Sequence, residues 1–250
     1  MERVKEILSK FKGGIIAFSG GKDSLALCLL AKEVFGKKYL CITVKFPYTH
    51  SWILEKSREL AKKFSLKHKI VELPIPYELK ENQPLRCYWC KKRMFEELKK
   101  QLKRGWVVME GSTKEEEERD GLRAAWEEGV VSPFVDAGIT QKSVKKFLKE
   151  LGVEEIPSET CLLTRIPLRT KVDINLLKRI EKLEDLIREY GIGKVRARWH
   201  NGVLRIEVPE EEIEKVIRIK KEVLKKARRL KFPFVCLDLS GYSRGSMNNL

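Results

Sequence analysis

The chain has 250 residues, 42% of them hydrophobic and 35% charged, which is enough to bury one large core or two modest ones. Lys and Arg number 52 against 36 Asp and Glu, a formal net charge of +16 that favours anionic partners such as nucleotides, phosphorylated small molecules or RNA. No apolar run approaches the ~20 residues needed to span a bilayer, and Met1-Glu-Arg-Val-Lys has no apolar core behind it, so no membrane association is expected and the expected compartment is the cytoplasm.

Strand-like runs at Gly14–Phe18, Tyr39–Val44, Lys69–Leu73 and Trp106–Met109 alternate with helical patterns at Asp23–Phe35, Trp52–Phe64 and Lys91–Lys103. This alternation predicts an α/β fold, a parallel sheet covered by helices, with any ligand at the carboxyl ends of the strands. A helix over Thr140–Leu151 follows, with Thr140 as N-cap and Gly152 just past its end. Beyond a turn-rich linker, Gly152 to Pro157, the pattern changes. A helix (Asn175–Tyr190), two short strands around Asn201-Gly202, a long basic helix (Glu211–Leu230) and a strand (Phe234–Leu239) predict a smaller α+β domain of βαββαβ type. The expected division is 1–155 and 156–250.

Between the first strand and the first long helix stands Ser19-Gly-Gly-Lys-Asp-Ser24. Two adjacent glycines permit positive φ and close approach of a ligand, and successive N–H groups at a helix N-terminus make an anion site. A Walker A loop would need glycine at Ile16 and Ser or Thr at Asp23, so that reading fails. The hexapeptide, Ser19, Gly20, Gly21, Lys22, Asp23 and Ser24, resembles the SGGxDS loop of the PP-loop ATP pyrophosphatases. Such enzymes hold the β- and γ-phosphates of ATP and leave the α-phosphate open to attack. An ordinary Gly-rich strand-to-helix turn is the plainer alternative, disfavoured by the flanking serines and Asp23.

Six cysteines in such a chain point to metal or thiol chemistry before disulfides. Cys28, Cys41 and Cys236 lie in apolar segments and read as buried small hydrophobes. Cys87-Tyr-Trp-Cys90 has the spacing of two ligands to one metal or of a redox pair, and Arg86, Lys91, Lys92 and Arg93 around it favour thiolates. Cys161, in the loop Pro157–Pro167, is a candidate nucleophile or third ligand.

The chain further resembles the LarE family of ATP-dependent sulfur transferases. The matching segments are Ser19–Ser24, Asn82–Lys91, Gly111–Thr113 with Gly121–Ala125, Ser132–Phe134 with Ala137–Lys142, and Ser158–Pro167. They continue through Val195–His200, Ile206–Pro209 and the terminal Asp238–Asn248. The stretch from Gly111 to Arg123 is shorter and more acidic than the usual pattern, and Thr164 stands where many members carry Ser.

The resemblance implies a PP-loop domain followed by a C-terminal domain for substrate binding or oligomerisation, ATP and Mg²⁺ as cofactors, and a substrate like a pyridinium mononucleotide bearing two carboxylates. It implies catalytic roles for Cys161, Asp23 and Arg165, and nucleotide or phosphate contacts at Ser19–Ser24, Gly111, Arg123, Arg196 and Arg198. Glu184 lies on the helix where family members place an acidic site residue. It leaves two sulfur sources: Cys161 as a sacrificial donor, or Cys87, Cys90 and Cys161 as the three thiolates of a 4Fe-4S cluster whose fourth iron carries sulfide. The cluster is the favoured reading and needs a sulfide source as partner. Zinc on the same cysteines with His200 is a thinner option. A homo-oligomer is expected.

The competing reading is a tRNA-thiolating PP-loop enzyme, which the +16 charge and the basic helix would serve. Without a recognisable RNA-binding module or a second CxxC pair, nucleic acid is not the expected partner. A non-catalytic nucleotide-binding protein would leave the Arg86–Lys91 and Ser158–Pro167 segments unexplained.

Overall fold

In a computed structural model, which describes residues 1–117, 120–153, 156 and 159–243, the four apolar runs pair in one parallel sheet. The described residues fall into two compact units, Met1–Glu78 with Leu85–Glu159 and Leu79–Pro84 with Thr160 onward. No helix among them is long and apolar enough to cross a membrane. Parts of the Ser158–Pro167 and C-terminal matches, and the end of the acidic tract at residues 118–119, lie outside the described residues.

The first unit runs α1 (Glu2–Ser9), β1 (Gly13–Ala17), α2 (Lys22–Phe35), β2 (Tyr39–Lys45), α3 (Ser51–Lys63), β3 (His68–Glu72), α4 (Arg86–Lys99), β4 (Trp106–Met109), α5 (Asp120–Glu127), α6 (Pro133–Asp136) and α7 (Gln141–Glu150). The sheet order is β3-β2-β1-β4. The chain therefore steps outward from β1 to β3 and then returns to the other side of β1, which makes the β1/β4 edge the topological switch point. β1 is buried along its whole length, with Ile16 in the core on one face and Ile15 and Ala17 in the core on the other. Its run of consecutive apolar residues is what a strand covered on both sides requires.

Two elements begin elsewhere than expected. Helix α4 starts at Arg86 rather than Lys91, so both cysteines of the CxxC lie inside it; its N-cap, Leu85, makes no side-chain cap bond that the sequence could announce. The long basic helix is broken at Ile219 into α9 (Ile213–Arg218) and α10 (Lys220–Arg229).

The second unit packs α8 (Ile174–Glu189), α9 and α10 with a sheet of order β5-β6-β7, β5 being Arg196–His200, β6 Val203–Glu207 and β7 Phe234–Leu237. Asn201 and Gly202 take φ of 43° and 105°, the two positive values a two-residue hairpin turn demands. The expected leading strand of a βαββαβ unit is not found among the described residues, where a single antiparallel bridge joins Glu81 and Lys171. Asn82 fixes that excursion, its Nδ2 donating to the carbonyls of Leu163, Ile166 and Pro167 at 2.9–3.0 Å. Cys236 also departs from expectation. It is exposed, because edge strand β7 turns Val235 and Leu237 inward and Phe234 and Cys236 outward.

Candidate functional site

The phosphate loop leaves β1 at the switch point. The Phe18 carbonyl, where the chain quits the sheet, accepts a hydrogen bond from Thr43 Oγ1 at 2.7 Å, and Thr43 Oγ1 also meets His68 Nε2 at 2.8 Å. Gly20 has φ +73°, and a Cβ there would stand 3.1 Å from the Ile53 carbonyl oxygen and 3.2 Å from the Ser57 nitrogen. Backbone conformation and space both require glycine.

The two serines stitch the loop to itself. Gly21 N–H donates to Ser19 Oγ (3.3 Å), Ser19 Oγ meets Ser24 Oγ (3.0 Å), and Ser24 Oγ donates to the Gly21 carbonyl (3.1 Å). With the Ser24 proton spent on Gly21, Ser19 must be the donor between the hydroxyls. This closed circuit does not use the first-turn N–H groups of α2, which no carbonyl of the helix can reach and whose geometry can receive an anion. Lys22 Nζ reaches Gln141 Oε1 at 3.4 Å.

Asp23 is the desolvated member of the loop. Its Oδ1 is buried without a hydrogen-bond partner. Burial, assisted by the neighbouring Glu116 and Glu115 carboxylates and opposed by Lys22, pushes its pKa up to about 6. An orphaned, partly desolvated carboxyl oxygen beside a phosphate loop fits a divalent cation carried with a nucleotide.

On the β4 side of the switch point, Gly111 packs so closely on α2 that a Cβ would stand 3.0 Å from the backbone of Asp23 and Ser24. Its neighbours Glu110 and Ser112 are buried. Glu110 accepts from Ser112 N–H, Ser112 Oγ, Ser132 Oγ and Lys91 Nζ at 2.7–3.1 Å. Sequence reasoning passed over Glu110, although a lone acid straight after an apolar strand, at the strand's carboxyl end, is itself a signal. Arg123 is exposed on α5, its guanidinium 4.5 Å from the centre of the Tyr88 ring and its Nε 3.3 Å from Glu127.

Cys87 and Cys90 stand in the first two turns of α4, Cys87 exposed and Cys90 half-buried with Tyr48 Oη donating to its Sγ at 3.3 Å. Three residues apart, they share one helix face. The donor chemistry fits an iron-sulfur cluster in kind, since cubanes take cysteine thiolates. The pair offers two of the three proposed, and Cys161 belongs to the second unit. Among the described residues, no three His, Cys, Asp or Glu side chains are gathered so as to hold a metal ion.

In the second unit Cys161 is the N-cap of a short 3-10 turn, Leu162–Arg165, and is half-buried. Arg165 is completely buried. Its Nε and Nη2 grip the two carboxylate oxygens of Glu184 at 2.8 and 2.9 Å, while Nη1 reaches Thr160 Oγ1 (2.7 Å) and Thr164 Oγ1 (2.9 Å) on either side of Cys161. Arg165 is thus built into the frame of the cysteine turn as a positioning residue. Glu184 also accepts from Ala197 N–H at 2.8 Å, tying that turn to β5.

Arg196 and Arg198 project from the same face of β5, as their spacing predicts, and both are buried rather than solvated. Arg198 donates through Nε and Nη2 to Glu207 Oε2 at 3.1 Å and through Nη1 to the Thr164 carbonyl at 2.6 Å. Arg196 donates to the Val195 carbonyl and lies 5.7 Å from the centre of the Tyr242 ring. At the end of the strand, burial and the Arg205 charge lower the pKa of His200.

Residues 13–107 match the family model of the queuosine biosynthesis protein QueC. The uncharacterized protein MJ0830 of Methanocaldococcus jannaschii is 39% identical across 93% of this chain and 92% of its own. Pyridinium-3,5-bisthiocarboxylic acid mononucleotide synthase of Lactiplantibacillus plantarum is 26% identical across 94% of this chain and 88% of its own. The two relatives cover 93% and 94% of this chain and so extend over both units, whereas the QueC match takes in the Ser19–Ser24 loop and not the cysteine turn. The chain belongs to one family with MJ0830, and it is a LarE homologue with a QueC-like PP-loop domain.

Proposed function

We propose that the protein is an ATP-dependent sulfur transferase that adenylates a carboxylate of a pyridinium biscarboxylic acid mononucleotide and converts it to a thiocarboxylate. The observation that carries this reading is the self-stitched loop Ser19–Ser24 at the switch point, with an orphaned Asp23 oxygen at the head of α2. The PP-loop relationship supports use of ATP, and the name of the Lactiplantibacillus relative, a pyridinium-3,5-bisthiocarboxylic acid mononucleotide synthase, supports the substrate class.

A carboxylate is a poor electrophile because its leaving group would be oxide. Its oxygen therefore attacks the α-phosphorus, the bond to the bridging oxygen breaks, and pyrophosphate departs into the N–H groups at the start of α2, where the helix dipole favours negative charge. Asp23 would hold Mg²⁺, which neutralises charge on the leaving pyrophosphate when bound. Arg196 and Arg198 would bind the substrate phosphate, giving part of their present hydrogen bonding to it. Arg165 and Glu184 keep the Cys161 turn in shape. Sulfur then attacks the acyl carbon and AMP leaves.

Cys87, Cys90 and Cys161 would hold a 4Fe-4S cluster, which when bound supplies an iron position for transferable sulfide. The other source is the Cys161 sulfur itself, whose loss leaves dehydroalanine.

The test is pyrophosphate release with pyridinium-3,5-biscarboxylic acid mononucleotide, followed by mass spectrometry of the Cys161 peptide and anaerobic iron analysis. Substrate-dependent release, about four irons per chain and an unaltered Cys161 mass are expected. Absence of pyrophosphate release would sink adenylation. A dehydroalanine at 161 without an iron requirement would replace the cluster by sacrifice.

A further inference from the structure

Past the carboxyl end of β2 the chain makes a four-residue turn, Phe46-Pro47-Tyr48-Thr49. The Thr49 N–H donates to the Phe46 carbonyl at 2.9 Å, and the Phe46 N–H donates to Thr49 Oγ1 at 3.0 Å. Pro47, at the second position, presets the φ that such a turn requires. Tyr48 follows it and is 1% exposed, its ring lying flat on Phe46 with 5.1 Å between centres and 6° between planes. Backbone and packing together fix where the phenol points.

It points at the CxxC helix. Tyr48 Oη donates to Cys90 Sγ at 3.3 Å, and both residues belong to the first compact unit. Helix α4 is itself fixed about its axis, because Phe95 and Leu98 are fully buried and Tyr88, between the two cysteines, donates to Glu127 of α5. Cys87, almost one turn earlier, is exposed. A phenylalanine at position 48 can stack on Phe46 equally well, so what tyrosine adds is a buried O–H aimed at sulfur. A neutral thiol is a weak acceptor, whereas a metal-bound thiolate carries the charge that an O–H donor stabilises. Hydrogen bonds to ligating sulfur orient the ligand and tune the metal from outside the ligand set.

We infer that Tyr48 is a positioning residue of the metal-binding thiolates: its O–H holds Cys90 Sγ, so that Cys90 is the preset ligand of the pair and Cys87 the one that adjusts to the metal. This rests on the reading of Cys87 and Cys90 as thiolate ligands, and it holds for whichever metal or cluster they carry. A soft cation arriving at α4 meets one sulfur already oriented, so the side-chain entropy of that ligand is lost on folding rather than on binding.

The experiment uses Cd²⁺ as probe, a soft cation suited to thiolate ligands. It is titrated into the metal-free full chain under argon at one pH, by calorimetry and by thiolate-to-cadmium ultraviolet absorption. The proteins compared are wild type, Tyr48→Phe, and Cys87→Ser combined with Cys90→Ser. Tyr48→Phe keeps the ring and drops only the hydroxyl, so the metal-free variant is expected to melt no more than about 4 °C below wild type, the scale of one hydrogen bond in a chain of this size. Its Cd²⁺ affinity is expected to fall about 10- to 100-fold, the usual effect of losing an outer partner of a ligand. The absorption band is expected to move to longer wavelength, because a thiolate without its hydrogen bond gives up an electron more readily. A fluorotyrosine at position 48, a stronger donor of nearly the same shape, is expected to move the band the other way, and it decides the matter if Tyr48→Phe does not fold. A Tyr48→Phe affinity within about twofold of wild type overturns the assignment. So does a loss of affinity with an unmoved band, which is the mark of packing alone. Wild-type binding no tighter than that of the double serine variant overturns the ligand-pair reading itself and the inference with it, whereas tight wild-type binding with an unaffected Tyr48→Phe condemns only the role given to Tyr48.

Discussion

Replacing Asp23 by Asn should make the protein more stable and less active at once. Burial holds the Asp23 carboxyl protonated to about pH 6, against 3.8 for an ordinary aspartate. At 1.36 kcal/mol per pH unit, the ionised form is disfavoured in the folded state by about 3 kcal/mol; partial exposure screens this to about 2 kcal/mol. The sign follows from proton binding. Between about pH 4 and 6 the folded state keeps a proton that the unfolded state has lost, so wild-type stability falls as pH rises through that window and stays lowered above it. Below about pH 4 both states are protonated and nothing is lost. Asn is neutral throughout, so the ligand-free variant should match wild type at pH 4 and melt about 4–8 °C higher at pH 8, at 2–4 °C per kcal/mol for a chain of this size. Circular dichroism melts at half-unit pH steps measure this directly, and pyrophosphate release from the same samples should be abolished. A melting difference that is the same at pH 4 and pH 8, or a variant less stable at pH 8, would refute the reasoning.

Glu184→Gln removes the carboxylate that Nε and Nη2 of the buried Arg165 grip and should destabilise the protein by about 3–5 kcal/mol, read as a lower urea midpoint, with faster amide exchange in residues 160–165. Gly111→Ala places a methyl group 3.0 Å from the backbone of Asp23 and Ser24. Neither side is a flexible side-chain tip, so overpacking should cost about 1–3 kcal/mol and weaken ATP binding measured by calorimetry; unchanged affinity would show that the β4 loop does not set the position of α2.

The parallel sheet was legible because its strands are short apolar runs separated by helical periodicity, and β1 through β4 fall within a residue or two of expectation. The turn from β1 into α2 was equally legible, since Gly20-Gly21 ends the apolar run and Gly20 takes the positive φ that glycine permits. What the serines do was not: they bond one another, a fact of three-dimensional closure that a one-dimensional motif does not carry. The start of α4 was missed because Leu85 supplies no capping side chain. Arg165, Arg196 and Arg198 could be singled out by family likeness, but their burial could not, because an arginine is placed inside only by partners such as Glu184 and Glu207 that lie far away in sequence. Cys236 illustrates the reverse error, as an apolar strand of four residues does not reveal which of its faces is covered.

The excursion of residues 79–84 gives this chain an order of events during synthesis. The carbonyls that receive the Asn82 amide lie 81, 84 and 85 residues downstream. At about 5–20 residues per second, the ribosome keeps Asn82 waiting roughly 4–17 s for them. Until then the Asn82 N–H and carbonyl and the Lys80 carbonyl, whose folded partners are Thr170, Arg169 and Val172, also lack those partners. A nascent protein stalled near residue 155 therefore leaves a segment in its middle, rather than at its end, without its folded partners, and the last stretch of translation is what supplies them.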